Sequence, residues 1–398
     1  MARQPIFGRQ ENVVGYELLF RSGLENFFSS KDVDMASRAV VDSFLLMGME
    51  LLTGGRKAFF NFTRDLLLKD CATVLPHEVA VVEIIETVEP DEEVLSACKR
   101  LKRAGYLLAL DDYTDPEASN PLTDLADIIK VDFLLTSVQD RKALVSKFRP
   151  RGIQMLAEKV ETREEFDQAA ESGYKYFQGF FFCHPEIISV ADIPSFKLNY
   201  VRVLRAVNER EMNLDELERA IKCEPALCYR LLRYLNSPVF SFWNQIKSIQ
   251  HALTLLGEKE IKKWTSLVVL VALGEDRPAE LVVASLVRAR FCELLAPVVG
   301  MRDRKADLFL MGLLSLMDAI LRRPMTELLA EMPVSTDIKL ALLQGDSRLS
   351  DVYGLTLAYE KGDWEKLSDS AARLRLQEAV VPDIYLKSLD WAKQIFQG

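Results

Sequence analysis

The chain predicts two folds in succession: an α/β domain built as a (β/α)8 barrel through residue 197, then an all-α domain from 198 to 398. Three observations carry this. Short apolar segments alternate with amphipathic stretches through the first half, giving eight strand candidates. Several of these segments end in acidic or amide groups, as in Gly15–Leu19, Phe59–Asn61, Val81–Glu86, Leu108–Asp112 and Ile128–Asp132. Buried strands that finish in carboxylates along one edge describe the rim of a barrel active site. Beyond residue 198 the strand signals stop, and apolar residues recur at helical spacing. A chain of 398 residues is also long for one core.

Pro5-Ile6-Phe7 and Val13–Phe20 flank the polar turn Gly8–Asn12, which reads as an opening hairpin. Ser37–Leu52 carries Val40, Val41, Phe44, Leu45 and Leu52 at helical spacing, and Lys57–Phe62 is the next strand. Leu66–Leu75 reads as a short helix stopped by Pro76, and Val79–Ile85 as a strand. Pro90–Ala104 is helical and closed by Gly105, followed by strands at Tyr106–Leu110 and Asp127–Val131. Arg141–Phe148 is a helix, Gly152–Ala157 a strand leading into Glu158, and Thr162–Ser172 a helix capped by Gly173. Tyr174–Phe182 is the last strand. The cadence matches a barrel, and cadence alone does not separate a barrel from an open sheet.

In the second half Leu198–Val207 reads as a linking helix. Leu214, Leu217 and Ile221 form one apolar face. A helix opens at Glu224-Pro225 and stops at Asn236-Ser237-Pro238. Ser248 caps a helix that Gly257 closes. Further helices are expected at Glu258–Leu273, Pro278–Val299, Arg304–Arg323, Met325–Glu331, Thr336–Leu343 and Leu349–Glu360, with a last group after Trp364. Their apolar faces require one another, so they form a bundle.

Composition narrows the function. The net charge of -9 argues against DNA or RNA as a partner. A small anion remains compatible, because a divalent metal reverses the local sign. The six cysteines form no close Cys-x-x-Cys pair, which fits a reduced cytoplasmic protein. Leu267–Leu273 is apolar but too short to cross a bilayer, so no membrane insertion is expected.

Glu17, Asn61, Glu83, Asp111 and Asp112 supply hard oxygen ligands of the kind Mg2+ or Mn2+ prefers. Adjacent Asp111 and Asp112 point to opposite faces of a continuing strand, but both can face one site where the backbone turns. Lys130 can hold a water or a phosphoryl oxygen, and Glu158 can orient that cluster. Strand-end acids also serve as solvated loop starts or helix caps, and on the residues alone both readings stand.

Taken as a set, these segments resemble the EAL domain, the cyclic di-GMP phosphodiesterase domain named for a Glu-Ala-Leu signature. The signature stands here as Glu17-Leu18-Leu19 followed by Arg21. Later motifs resemble Asn61-Phe62-Thr63, Glu83-Ile84-Ile85-Glu86, Leu110-Asp111-Asp112-Tyr113, Ile129-Lys130-Val131-Asp132, Ala157-Glu158-Lys159-Val160-Glu161-Thr162 and Gln178-Gly179-Phe180. The resemblance implies an EAL-type TIM-like barrel with Glu17, Asn61, Glu83, Asp111 and Asp112 as metal ligands. Lys130 and Glu158 then position or deprotonate a water, and Glu86 braces the loop after the aspartates. Gln4, Arg21 and Gln178 approach the dinucleotide. The sequence departs from the family at three places. Tyr113–Pro121 contains two prolines and no glycine, Ser22-Gly23-Leu24 replaces a substrate-side tryptophan, and Lys159 stands where the family has glycine.

The second half resembles the HDOD domain, a helical relative of the metal-dependent HD phosphohydrolases, through Cys223–Leu227, Leu235–Pro238, Ser248–Leu253 and Leu255-Leu256-Gly257. HD chemistry needs several histidines, and this half has His251 alone. The resemblances together imply a cytoplasmic signal-transduction protein. Its degenerate EAL barrel binds cyclic di-GMP and metal, its HDOD module recruits an unidentified protein partner, and a homodimer is a further expectation. Two alternatives are metal-dependent hydrolysis to linear pGpG and a scaffold that binds no nucleotide.

Overall fold

The computed structural model describes residues 2–20, 49–117, 120–183, 195–209, 212–222 and 249–397. They divide into two compact units, Met1–His184 with Tyr359–Trp364, and Pro185–Ala358 with Glu365–Gly398. Arg21, most of the predicted helix Ser37–Leu52, the helix opening at Glu224-Pro225 and its stop at Asn236-Ser237-Pro238 lie outside the described residues.

The first unit is a closed barrel of eight strands in sequence order. They are β1 (Ala2–Gly8), β2 (Val13–Leu19), β3 (Lys57–Phe62), β4 (Ala80–Ile84), β5 (Leu107–Leu110), β6 (Ile128–Asp132), β7 (Gln154–Glu158) and β8 (Tyr176–Gln178). The opening hairpin turns β1 over: it pairs antiparallel with both β2 and β8, while every junction from β2 to β8 is parallel.

Helices α1 (Arg64–Leu68), α2 (Glu92–Arg103), α3 (Val138–Phe148) and α4 (Arg163–Ser172) follow β3, β4, β6 and β7. Their ends follow local chemistry. Asp91 accepts from the Val94 N–H, Ser137 from the Asp140 N–H, and Thr162 with Glu165 forms a capping box closed by Gly173. The helix expected at Leu66–Leu75 is shorter. Chain reversal at Asp70, which takes φ 51, divides it into α1 and a single 3-10 turn at Cys71–Val74.

Ile6, Phe59, Val81, Ala109, Ile128 and Leu156 fill the barrel interior with one buried layer. Side chains alternate along a strand, so the residue two places nearer the upper rim faces the same interior. That rule carries Phe59 to Asn61, Val81 to Glu83, Ala109 to Asp111, Ile128 to Lys130 and Leu156 to Glu158. On the inverted β1 it runs backwards, from Ile6 to Gln4. The apolar plug and the polar floor of the site are thus successive layers of one pattern.

The second unit is helical throughout its described residues. It includes α5 (Ser195–Asn208), α6 (Leu214–Lys222), α7 (Ile249–Leu273), α8 (Ala279–Leu295) and α9 (Lys305–Leu314). Gly257 sits within α7 at φ 75, ψ 165, so the stop expected there is a sharp break between two helical runs. The single helix expected at Arg304–Arg323 is two, Lys305–Leu314 and Met317–Leu321, separated at Ser315, whose hydroxyl donates back to the Gly312 carbonyl. Lys263 is held in the core of this unit by Glu293 at 2.6 Å, with its ammonium over the rings of Phe309 and Trp264. Among the described residues no helix is long and apolar enough to cross a membrane. Cys71, Cys98 and Cys292 are free thiols, and burial pushes Cys98 up to about 11.

Candidate metal and phosphodiester site

At the C-terminal ends of the parallel strands, six predicted site residues converge. Lys130 Nζ, 1% exposed, lies 2.7 Å from Glu158 Oε1, 2.9 Å from Asp111 Oδ1 and 3.7 Å from Glu17 Oε2, and it also pairs with Glu83 Oε1. Asn61 donates to Glu17 Oε1 at 3.0 Å. Gln178 Nε2 donates to Glu17 Oε2 at 2.6 Å and to Gln4 Oε1 at 3.0 Å, which brings two of the dinucleotide-side candidates to the edge of the acidic centre. Ladder register explains the meeting, since Gln4 faces Glu17 and Asn61 faces Glu83 as direct Cα partners.

Four carboxylates around one ammonium group leave an excess of negative charge. Burial raises Glu83 well above the ordinary carboxylate value, with Glu17, Asp111 and Glu158 adding to the effect and Lys130 opposing it. Glu158 is raised for the same first reason. Burial opposes the charge on Lys130, yet Glu158, Glu17, Glu83 and Asp111 together hold it well above the ordinary lysine value. For Asp111 burial again works upward, but the adjoining Lys130 wins and lowers it.

Asn61 Oδ1, Glu83 Oε2 and Glu158 Oε2 are buried without a hydrogen-bond partner. Such atoms are costly unless something occupies their lone pairs. A hard divalent cation fits this donor set, which is oxygen throughout and carries surplus negative charge.

Asp112 stands apart from the Lys130 group. β5 ends at Leu110, the Asp111 N–H bonds to the Ile84 carbonyl, and Asp112 turns at φ 45. Aspartate tolerates this left-handed conformation better than most residues, so the turn forms without a glycine. It places oxygens of Glu86, Asp111 and Asp112 within 4.8 Å of one another. The following segment is anchored by the Tyr113 N–H on the Lys130 carbonyl at 3.0 Å, by Tyr113 packed edge-on to Phe148, and by Lys147 bonded to the Pro116 carbonyl at 2.6 Å.

The strand expected at Tyr174–Phe182 is confined to Tyr176–Gln178, because Gly179 leaves the extended region at φ +147. A Cβ there would lie 2.1 Å from the Val160 carbonyl oxygen and 2.5 Å from its nitrogen. Gly179→Ala is therefore expected to destabilise the barrel by about 3 kcal/mol, measured as a lower urea midpoint, since backbone cannot yield as a side-chain tip can. An unchanged midpoint would show that β7 and β8 move apart freely.

One acidic strand end was given no role from the sequence. Asp132, 1% exposed, accepts from the N–H groups of Leu134 and Leu135 at 2.6 and 3.0 Å through Oδ1, and pairs with Lys159 through Oδ2. Its signal was its position two residues beyond Lys130 on β6.

An acidic cluster with unbonded buried oxygens at the upper rim of a barrel with an inverted first strand defines the class. The EAL domain family matches residues 43–185, and the HDOD domain family matches residues 193–331. The chain is 36% identical over 407 aligned positions to the uncharacterised protein YuxH of Bacillus subtilis, covering 100% of this chain and 99% of YuxH. It is 32% identical to the cyclic di-GMP phosphodiesterase CdgJ of Vibrio cholerae, covering 99% of this chain and 92% of CdgJ. A solved cyclic di-GMP-bound standalone EAL protein from Vibrio cholerae O395 matches at 26% identity and a TM-score of 0.34, over 46% of this chain and 90% of its own. The chain belongs to the family of two-domain proteins that join an EAL domain to an HDOD domain.

Proposed function

We propose that the barrel is a metal-dependent cyclic di-GMP phosphodiesterase that opens the ring to linear pGpG, within a signalling protein whose helical unit recruits a protein partner. The observation that carries this is the convergence of Glu17, Asn61, Glu83, Asp111, Lys130 and Glu158, with buried oxygens left unbonded. CdgJ, named for this activity, spans nearly the same length.

Glu17, Asn61, Glu83 and Asp111, joined by Asp112, would hold Mg2+ or Mn2+. Such a cation supplies Lewis-acid polarisation of the phosphoryl group and lowers the pKa of the attacking water. Glu158 accepts the proton of that water, and Lys130 holds Glu158 and Asp111 in place while stabilising charge on the phosphate. The water oxygen bonds to phosphorus, one P–O3′ bond breaks, and the released 3′ oxygen takes up a proton. Gln4 and Gln178 line the dinucleotide side, and Arg21 is assigned there on the resemblance alone.

The test is linear product formed from cyclic di-GMP with excess Mn2+. Many product molecules per protein, absent with a chelator and in Glu17→Ala, are expected. Nucleotide binding with no product would instead favour a sensor, a reading supported by the lysine beside Asp112 and the glycine-free loop.

A further inference from the structure

Lys159 adopts φ 53, a left-handed conformation in which a side chain is strained. Its ammonium nevertheless has a fixed address. It pairs with Oδ2 of Asp132, a buried carboxylate whose other oxygen is tied to two backbone N–H groups. From that anchor it lies 3.7 Å from Asp112 Oδ1. Asp112 in turn groups with Asp111 and Glu86. A positive charge anchored on Asp132 thus borders a carboxylate of the acidic centre.

We propose that Lys159 is a positioning residue for Asp112: its ammonium, anchored on Asp132, shares the Asp112 carboxylate and so weakens the hold of that carboxylate on a divalent cation. This rests on the reading above, in which the acidic centre takes up metal. The physical argument is direct. A unit positive charge within a few ångströms of a dication's ligand repels the dication and occupies the same oxygen. Lys159 is 47% exposed, so solvent and salt limit the effect without abolishing it.

The experiment is calorimetric binding of Mn2+ alone to the full chain and to Lys159→Met, Lys159→Arg and Lys159→Gly. In low salt Lys159→Met is expected to tighten the weakest Mn2+ step by about ten-fold, and in half-molar salt by about three-fold or less. Lys159→Arg keeps the charge and should stay within about two-fold of the parent. In an Asp112→Ala background the effect of Lys159→Met should vanish. A parent that binds Mn2+ with an isotherm unchanged in Lys159→Met overturns the proposal and leaves the metal reading standing. Tightening by Lys159→Gly without tightening by Lys159→Met overturns it too, because backbone relief would then be the cause. No Mn2+ uptake by parent or variants would sink the metal reading itself, and this proposal with it.

Discussion

Lys130→Met should destabilise the metal-free protein by about 3–5 kcal/mol at pH 8, the usual cost of leaving buried charges without their partner. Methionine fills the same space and carries no charge. Glu83, 0% exposed, and Glu158 would then face each other, Glu17 and Asp111 with no counter-ion. The loss depends on pH. Burial already raises Glu83 and Glu158 above their ordinary 4.5, and removing Lys130 raises them further. A carboxyl group raised by folding contributes stability that is present below its unfolded value and lost as pH rises through its folded value. The deficit of the variant should therefore be smallest near pH 4.5 and grow toward pH 8. Added Mn2+ should restore part of it, because a dication supplies the missing charge and binds only the folded state. Urea denaturation at both pH values, with chelator and then with Mn2+, reads all three effects. Equal midpoints for parent and variant at pH 8 would show that the carboxylates do not depend on Lys130.

Glu158→Gln is expected to lower the rate of pGpG formation by about 10²–10⁴-fold, the range for loss of a general base. The amide keeps the shape of the side chain but cannot take a proton. Burial, reinforced by Asp111 and Glu17 and opposed by Lys130, makes Glu158 a stronger base than an exposed glutamate. Glu17, Asn61, Glu83 and Asp111 remain, so Mn2+ affinity should fall by no more than the roughly 10–100-fold typical of losing one supporting group. Single-turnover product formation over a pH series, alongside Mn2+ binding, separates the two effects. The variant should lose the acid limb of the parent profile, whose apparent pKa belongs to the coupled cluster. A rate within about three-fold of the parent would assign the base elsewhere, because general-base catalysis is worth far more than that.

What the sequence made legible was whatever period 2 and local chemistry control. Asn61, Glu83, Lys130 and Glu158 each lie two residues beyond an interior apolar residue, so their shared side of the sheet could be read before the barrel closed. Helix ends at Thr162 and Gly173 were similarly local. Contacts across sequence were not. Gln178 on β8 meets Glu17 on β2 across the intervening β1 and 161 positions, and Lys159 meets Asp132 across 27, because strands are brought level only by register. β8 ends early because Gly179 lies against the Val160 backbone, a closeness no propensity encodes. The glycine missing from the loop after Asp112 looked like an obstacle. Here the left-handed turn falls on Asp112 itself, at φ 45.

The inverted first strand has a consequence for how the barrel is held closed. β1 meets β8 over only three residue pairs, and β5 meets β6 over two. The Gln178–Gln4 hydrogen bond spans the first junction, and the Lys130–Asp111 ion pair spans the second. The side chains proposed for ligand and metal therefore also stitch two short seams of the cylinder. As fasteners of the cylinder they would serve the fold whether or not a substrate is turned over.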